Sequence, residues 1–142
     1  MSNSIVEIED TKCLFVFGYN AADSHPIVAR RIVKAKEKGA KIIVCDPRYI
    51  ETARLADLHL ALKNGSNIAL LNAIANVIIE EKLYDKSFIE NHTEQFDEYC
   101  QLVASYTPES VEKTTGLSAQ IIREAARMYA KAETATILWG MG

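Results

Sequence analysis

A short apolar run that ends in a glycine turn and leads into a helix is the feature that most constrains the fold. Residues 13–17 are apolar and β-prone, Gly18 follows, and Pro26 stands where the next helix begins. A strand that is apolar throughout is typical of the centre of a parallel sheet. Ligands of open α/β sheets bind at the carboxyl ends of such strands, and the N-terminus of a helix attracts phosphate. The run therefore predicts an α/β fold with a nucleotide-like site after its first strand.

The rest of the chain alternates strand-like and helix-like patterns. Further strands are predicted at 41–45, 58–62 and 135–139. Helices are predicted at 26–38, around 52–56, at 68–81 and 118–131, with short helices and turns over 84–116. This alternation favours parallel strands joined by right-handed crossovers. We expect a single α/β domain over residues 1–142, a Rossmann-like three-layer sandwich with strand order 3-2-1-4 and helices on both faces.

Local signals mark the ends of these elements. Ser24 is expected to cap the first helix, and Gly39 to end it in the left-handed conformation. Ser118 is expected to cap the last helix, and residues 2–12 are interpreted as a polar lead-in. The first helix is predicted to bury one stripe of apolar residues: Ile27, Val28, Ile32, Val33 and Ala35. Trp139 and Met141 are expected to be core residues.

The helix at 68–79 is apolar on nearly every side. Such a helix is usually buried over most of its surface. Another domain or another chain is therefore expected to cover part of it, and a homodimer is one possibility. The chain also ends in a glycine turn directly after a predicted core strand, which suggests that it is part of a longer protein.

Composition and charge exclude several classes of protein. The net charge of −3 does not favour nucleic-acid binding, and the basic cluster over 30–38 is interpreted as a solvated helix face. Three cysteines without a C-x-x-C pair favour neither a disulfide framework nor a cysteine metal site. No signal peptide is visible and no apolar run is long enough for a membrane span. These features fit a cytoplasmic protein.

The acid that ends the second strand is the first candidate for ligand binding. Asp46 can accept a hydrogen bond from a ribose hydroxyl or a base amide, and Arg48 can clamp a phosphate. The alternatives are an Asp-Pro turn for Asp46 and a surface salt bridge for Arg48. The loop at 63–67 can contribute backbone N–H groups and the Asn67 amide, or can serve only as a helix cap.

The strand order brings two glycine turns together. Gly18, Tyr19 and Asn20 are expected beside Gly140, Met141 and Gly142, at the point where the order of the sheet reverses. Asp23 and Ser24 open the first helix, where a cap and a phosphate contact are both compatible. The three histidines suggest no metal site, and no complete catalytic constellation is visible.

Several stretches in combination resemble the molybdopterin oxidoreductase family. They are 15–20, 23–26, 39–48, 51–57, 62–73, 106–112 and 137–142. The last four stretches narrow the resemblance to the catalytic (alpha) subunit of formate dehydrogenases of the formate-hydrogenlyase type. The resemblance covers nearly all of the chain.

This resemblance implies an internal domain of a larger enzyme with a bis(molybdopterin guanine dinucleotide) cofactor that holds molybdenum or tungsten. By analogy, 18–20 would approach the pyrophosphate, 140–142 the pterin, and Asp46, Pro47 and Arg48 the guanosine. Lys63, Gly65, Ser66 and Asn67 belong to the loop at the guanine end. The parent would oxidise formate and pass electrons through an iron–sulfur cluster to partner subunits. The chain holds no cluster and should be inactive alone.

Two features of this chain depart from the family pattern. Many members carry an aspartate where this chain has Asn67, and an amide oxygen is a weaker acceptor for guanine. The metal-ligating Cys or selenocysteine and the other catalytic residues of the family have no counterpart in this chain. Two alternatives therefore stay open: a stand-alone nucleotide-binding module, and a structural α/β domain that pairs through the 68–79 helix.

Overall fold

The computed structural model describes residues 3–140, whose contacts group them into a sheet unit and a helical unit. The sheet unit comprises residues 3–61 and 132–140, and the helical unit comprises residues 62–131. The prediction of one domain over residues 1–142 stays a prediction.

Four parallel strands form the sheet unit in the order β3-β2-β1-β4. They are β1 (Cys13–Phe17), β2 (Lys41–Cys45), β3 (Leu58–Leu60) and β4 (Ala135–Trp139). The predicted α/β class and strand order are confirmed. The prediction of β3 as 58–62 was too long, because β2 ends at Cys45 and Pro47, two residues later, has no N–H with which to extend the ladder.

One face of the sheet is covered by helices of the same unit. These are α1 (Ala21–Ser24), α2 (Pro26–Glu37) and two 3₁₀ helices, Ile5–Asp10 and Glu51–Leu55. Leu14, Val16, Ile42 and Val44 form the core of this face together with Ile32 and Ala35 of α2. The predicted stripe of α2 was drawn too wide, since Ile27 and Val33 are exposed.

Strand β1 is buried on both of its faces. Cys13 and Phe15 lie on one face and Leu14 and Val16 on the other, and all four are almost completely buried. Such burial is the expected property of a central parallel strand, so the interpretation of residues 13–17 is confirmed. Gly39 takes the predicted left-handed conformation after α2, with φ of 93°.

The interpretation of residues 2–12 as a plain lead-in was wrong for the part described. The 3₁₀ helix Ile5–Asp10 begins at the cap Ser4, buries Ile8 and packs against α2. Glu9 forms ion pairs with Arg31 and with Lys34 of α2. Partial burial raises the pKa of Glu9, but the ion pairs with Lys34 and Arg31 lower it further, below its usual value. Much of the basic face of α2 is therefore paired with acids of the same unit rather than simply solvated.

The helical unit contains five helices. They are α3 (Asn67–Glu80), α4 (Lys86–His92), α5 (Phe96–Val103), α6 (Pro108–Thr115) and α7 (Ala119–Ala130). Helix α3 packs against α5, α6 and α7 and buries Leu70, Ile74 and Val77. Ile68 is 72% exposed, so α3 keeps an uncovered apolar patch. The cover expected over this patch stays a prediction.

Three helix ends in this unit follow the signals in the sequence. The hydroxyls of Thr107 and Ser118 accept hydrogen bonds from backbone N–H groups in the first turns of α6 and α7. Gly116 ends α6 in the left-handed conformation. None of the helices within residues 3–140 is long and apolar enough to cross a bilayer.

Asp57 ties β2, β3 and α2 together at the amino ends of the strands. Its carboxylate accepts hydrogen bonds from the backbone N–H of Ile42 (2.9 Å) and from the ammonium groups of Lys36 (2.6 Å) and Lys41 (3.0 Å). Burial raises the pKa of Asp57, but the three hydrogen bonds outweigh it and lower the pKa from 3.8 to about 2. The charged form of Asp57 therefore stabilises the fold above pH 4.

We expect Asp57→Asn to lower the free energy of unfolding at pH 7 by about 1–2 kcal/mol. A shift of this size corresponds to about 2.4 kcal/mol, and the solvent around the exposed lysines reduces that figure. Because the native pKa lies below the unfolded one, this contribution is lost as the pH falls from about 4 towards 2. Urea unfolding between pH 7 and pH 3 should show the two proteins converging.

The matched control for this test is Asp10→Asn, because the side chain of Asp10 is 75% exposed and pairs only at the surface with Lys38. The control should change stability by less than about 0.5 kcal/mol. If wild type and Asp57→Asn lose stability in parallel as the pH falls, the role of the Asp57 charge is refuted.

Candidate functional site

The carboxyl ends of three strands meet at one edge of the sheet. In the parallel register Phe17 pairs with Cys45 of β2 and with Trp139 of β4. The backbone N–H of Gly18 donates to the Cys45 carbonyl at 2.8 Å. The residues that follow β1, β2 and β4 therefore share this edge, with β2 and β4 on opposite sides of β1. This is the predicted switch point of the sheet.

The turns after β1 and β4 approach each other so closely that one of them needs glycine. A Cβ atom at Gly140 would lie 2.6 Å from the backbone carbonyl oxygen of Gly18. Gly18 itself has a φ of 54°, which is left-handed. The predicted neighbourhood of Gly18 and Gly140 is thus present, whereas Met141 and Gly142 lie outside the described residues. Trp139 is 70% exposed, so its assignment to the core was wrong.

Asn20 holds a buried acceptor without a partner among the described residues. It precedes α1, and its amide Nδ2 donates to Asp23 Oδ2 at 2.6 Å. That bond fixes the orientation of the amide and leaves Asn20 Oδ1 buried with no hydrogen-bond donor. A buried, unpaired acceptor costs free energy unless a ligand or water supplies a donor. Asn20 and Asp23 are therefore brought together, as a pair that can receive an N–H or O–H group.

Ser24 does not cap α2, contrary to expectation. It is the last residue of the four-residue helix α1, and His25 occupies the cap position of α2 without a side-chain hydrogen bond. The short helix was missed because four residues give no periodic pattern. The ring of His25 packs against Tyr19, with ring centroids 5.6 Å apart. Burial raises the pKa of the Tyr19 hydroxyl.

Asp46 is a nearly buried carboxylate directly after β2. It is 4% exposed, and its Oδ1 accepts a hydrogen bond from the backbone N–H of Arg48 at 2.8 Å. The guanidinium Nε of Arg48 lies 3.5 Å from the same oxygen, and that side chain is 72% exposed. Both the turn and the salt bridge considered for these residues are present. The guanidinium donors of Arg48 therefore remain largely in solvent. Among the residues described, the Asp46 carboxylate makes its contacts through Oδ1.

Two residues beside Asp46 were not among the predicted site residues. His59 Nε2 lies 2.9 Å from the Asp46 carbonyl oxygen. The ring of Tyr49 meets the His59 ring edge-on, with centroids 5.5 Å apart. No sequence pattern marks a histidine whose partner is a main-chain carbonyl, so the sequence offered no signal for this contact.

The loop at 63–67 belongs to the helical unit and is held by its own backbone. Ser66 occupies the cap position of α3, but its hydroxyl donates to the Lys63 carbonyl oxygen at 2.6 Å instead of capping the helix. Lys63 Nζ donates to the Lys113 carbonyl oxygen at 3.0 Å, and Gly65 is left-handed with φ of 81°. The roles predicted for Lys63, Gly65, Ser66 and Asn67 stay predictions.

A cleft of about 510 Å³ lies in the sheet unit along β4. Its walls come from the first 3₁₀ helix, Val28 of α2 and all five residues of β4. Of the predicted site residues that the structure describes, Tyr19 lines this cleft. The cleft was not predicted from the sequence, and it is separate from the part of the edge that holds Asp46.

Within residues 3–140 no three His, Cys, Asp or Glu side chains are grouped so that they could hold a metal ion. Cys13 and Cys45 are buried, as expected, and burial raises their pKa values to about 11 and about 12. The negative charges of Asp57 and Asp46, respectively, contribute to these shifts. Neither thiol is suited to act as a nucleophile at neutral pH.

All 142 residues match the family model described as molybdopterin oxidoreductase. The chain belongs to the molybdopterin oxidoreductase family. It is 68% identical over its full length to "Formate dehydrogenase H" of Escherichia coli, covering 20% of that protein. It is 51% identical over its full length to "F420-dependent formate dehydrogenase 1 subunit alpha" of Methanococcus maripaludis, covering 21% of it.

Relatives with other names share the same region. The chain is 43% identical to "Nitrate reductase" of Synechocystis over 96% of its length, covering 19% of that protein. The solved structure of "Acetylene Hydratase from Pelobacter acetylenicus" matches with a TM-score of 0.87 and 33% identity, over 96% of this chain and 21% of that one. The chain thus spans about a fifth of the length of the curated relatives it matches. The family implies a molybdopterin cofactor.

We expect Gly140→Ala to displace the turn after β1, because the new Cβ would collide with the backbone carbonyl of Gly18. Amide chemical shifts of residues 17–19 should change strongly, and the free energy of unfolding should fall by about 1–3 kcal/mol.

The control for Gly140→Ala is Gly18→Ala, whose Cβ meets no atom within 4 Å and adds only left-handed strain. It should cost about 1–2 kcal/mol without moving Gly140, and Gly18→Asn should cost less because Asn tolerates this conformation. Unchanged shifts at 17–19 in Gly140→Ala would show that the two turns are not in contact.

Proposed function

We propose that residues 1–142 are one cofactor-binding domain of a molybdenum- or tungsten-dependent formate dehydrogenase, and that they hold one arm of a bis(molybdopterin guanine dinucleotide). The identities of 68% and 51% to proteins named formate dehydrogenase support this choice over other members of the family. The identity of 43% to a nitrate reductase indicates that this region is compatible with more than one substrate. The substrate would then be selected by residues outside it.

The observation that carries the proposal is a set of three groups with unused hydrogen-bonding capacity at the edge where β1 and β2 end. Asp46 is a buried carboxylate with acceptor capacity left, and Arg48 beside it exposes its donors. Asn20 Oδ1, after the neighbouring strand, is buried and has no donor among residues 3–140. A nucleotide has ribose hydroxyls and phosphates that match these acceptors and donors. The residues therefore fit the cofactor that the family implies.

Each group of residues would have a distinct role in that binding. The turn after β1 and the start of α1 would contact the pyrophosphate: Gly18, Tyr19, Asn20, Asp23 and Ser24. The turn after β2 would line the guanosine: Asp46, Pro47 and Arg48. The loop that opens the helical unit would reach the guanine: Lys63, Gly65, Ser66 and Asn67. The turn after β4 would lie near the pterin: Gly140, Met141 and Gly142.

The bound cofactor would supply the metal that accepts the two electrons when formate is converted to carbon dioxide and a proton. The residues of this chain would bind and orient the dinucleotide, and none of them is proposed to react with formate. Other domains of the same subunit would provide the metal ligand and an iron–sulfur cluster, and separate subunits would carry the electrons away.

The exposed apolar patch of α3 supports a second candidate. Ile68 and Leu71 at the start of α3 are exposed in the chain alone. A structural α/β domain that pairs through this helix would bury them in a homodimer. Concentration-dependent dimerisation without any nucleotide affinity would favour that role.

We expect the chain to bind GDP with a dissociation constant of about 0.1 mM, since most contacts of the whole cofactor would lie elsewhere. Asp46→Asn should weaken binding about tenfold, because charge-assisted hydrogen bonds to the ribose are lost. NMR titration should shift the amides of 18–20 and 46–48. Asp57→Asn is the matched control, because it changes a carboxylate at the opposite ends of the strands.

The result of the titration separates the candidate functions. Weak binding that depends on Asp46 supports the domain proposed here, whereas micromolar binding favours a stand-alone nucleotide-binding module. Equal weakening by Asp57→Asn would show that the loss reflects stability rather than contact. Absence of any shift at 18–20 and 46–48 would refute the proposed site.

We expect the purified 142-residue chain not to oxidise formate, because its residues supply no complete catalytic constellation. The check is reduction of an artificial electron acceptor by formate, with an intact formate dehydrogenase as the positive control. Formate-dependent reduction by the chain alone would contradict the assignment of catalysis to other domains.

A further inference from the structure

We propose that His59 is a positioning residue, which holds the turn after β2 so that the Asp46 carboxylate faces the nucleotide. The histidine itself lies in the short edge strand β3, where it pairs with Val44 of β2. Its imidazole contacts the Asp46 carbonyl and the Tyr49 ring, both of the turn after β2. Its effect is exerted through the backbone of Asp46.

The Asp46 carbonyl lies one residue beyond the end of the ladder between β2 and β3. The last paired residues are Cys45 and Leu60, so the ladder provides no partner for the next carbonyl. The imidazole of His59 takes that place, with Nε2 2.9 Å from the Asp46 carbonyl oxygen. A carbonyl can only accept, so Nε2 carries the proton and donates it.

The same ring contacts the other end of the turn. Tyr49, three residues after Asp46, packs edge-on against the His59 imidazole at 5.5 Å. His59 therefore holds both ends of the segment 46–49, one through a hydrogen bond and one through an aromatic contact. Movement of either end would require one of these contacts to break.

Fixing the backbone of the turn also fixes the carboxylate. Inside the turn, Asp46 Oδ1 accepts a hydrogen bond from the Arg48 N–H at 2.8 Å. This bond requires the peptide planes between Asp46 and Arg48 to keep their orientation. Because His59 holds the first of those planes, it determines how the carboxylate and the Arg48 guanidinium are presented together.

The first test needs no ligand and measures amide hydrogen exchange at Arg48. His59→Leu keeps the bulk of the side chain without a donor, and should raise the exchange rate of the Arg48 amide about five- to tenfold. The Val44 amide, in the adjacent ladder, should change less than about twofold. His59→Gln, which restores an N–H donor, should bring Arg48 back to within about twofold of wild type.

The Tyr49→Phe variant and the Val44 amide are the two controls that distinguish a positioning role of His59 from an effect on overall stability. Tyr49→Phe keeps the ring and should leave the Arg48 exchange rate unchanged. Unchanged Arg48 exchange in His59→Leu, or a rise shared equally by Val44, overturns the proposal.

The wild-type tautomer of His59 provides a check without any variant, since long-range ¹H–¹⁵N spectra must show Nε2 protonated. A proton on Nδ1 alone would also overturn the proposal.

The second test rests on the proposed function and compares GDP with its 2′,3′-dideoxy analogue. His59→Leu should reduce the affinity for GDP about three- to tenfold, towards that of the analogue, without changing the affinity for the analogue. Equal losses for both ligands would indicate a merely structural role and overturn the effect on binding. If wild type does not distinguish the two ligands, the ribose contact of Asp46 fails, and the exchange test still decides the role of His59.

Discussion

The contact between the turns that follow β1 and β4 is the constraint on which the candidate site depends. The Gly18 carbonyl and Gly140 are so close that no side chain fits between them. This contact requires β4 to run parallel to β1 and to end level with it, as the pairing of Phe17 with Trp139 shows. The order of the sheet then reverses at β1, and the edge can receive a ligand there.

Two carboxylates at opposite ends of the strands differ in how many hydrogen bonds they already accept. This difference distinguishes a structural carboxylate from one that can still bind a ligand. Asp57, at the amino ends, accepts hydrogen bonds from two lysines and one backbone N–H, which leaves it little capacity for a ligand. Asp46, at the carboxyl ends, is more deeply buried and accepts mainly from its own turn. A carboxylate that is buried and only partly satisfied gains most from an added donor. This difference favours Asp46 as the binding group.

The first and last residues of strands with clear ends could be predicted from the sequence. The limits of β1, β2 and β4 were correct because each is a mainly apolar run that a glycine or the Asp46-Pro47 pair ends. The 3₁₀ helix at Ile5–Asp10 could not be predicted in the same way. It is short and acidic, and its ion pairs join Glu9 to residues of α2 more than twenty positions later. Local pattern carries no information about such distant partners.

The meeting of the turns after β1, β2 and β4 at one edge of the sheet was predictable from the sequence, but their individual interactions were not. Parallel topology alone brings Gly18, Asp46 and Gly140 to one edge, because the neighbouring strands β2, β1 and β4 all end there. The Asn20 oxygen that lacks a donor among the described residues and the hydrogen bond from His59 to the Asp46 carbonyl both depend on the orientation of single side chains. A sequence specifies those orientations only through packing, such as the Tyr49 ring against the imidazole. The arrangement of side chains at this edge therefore depends on residues that carry no motif, and the glycines and Asp46 supply the framework.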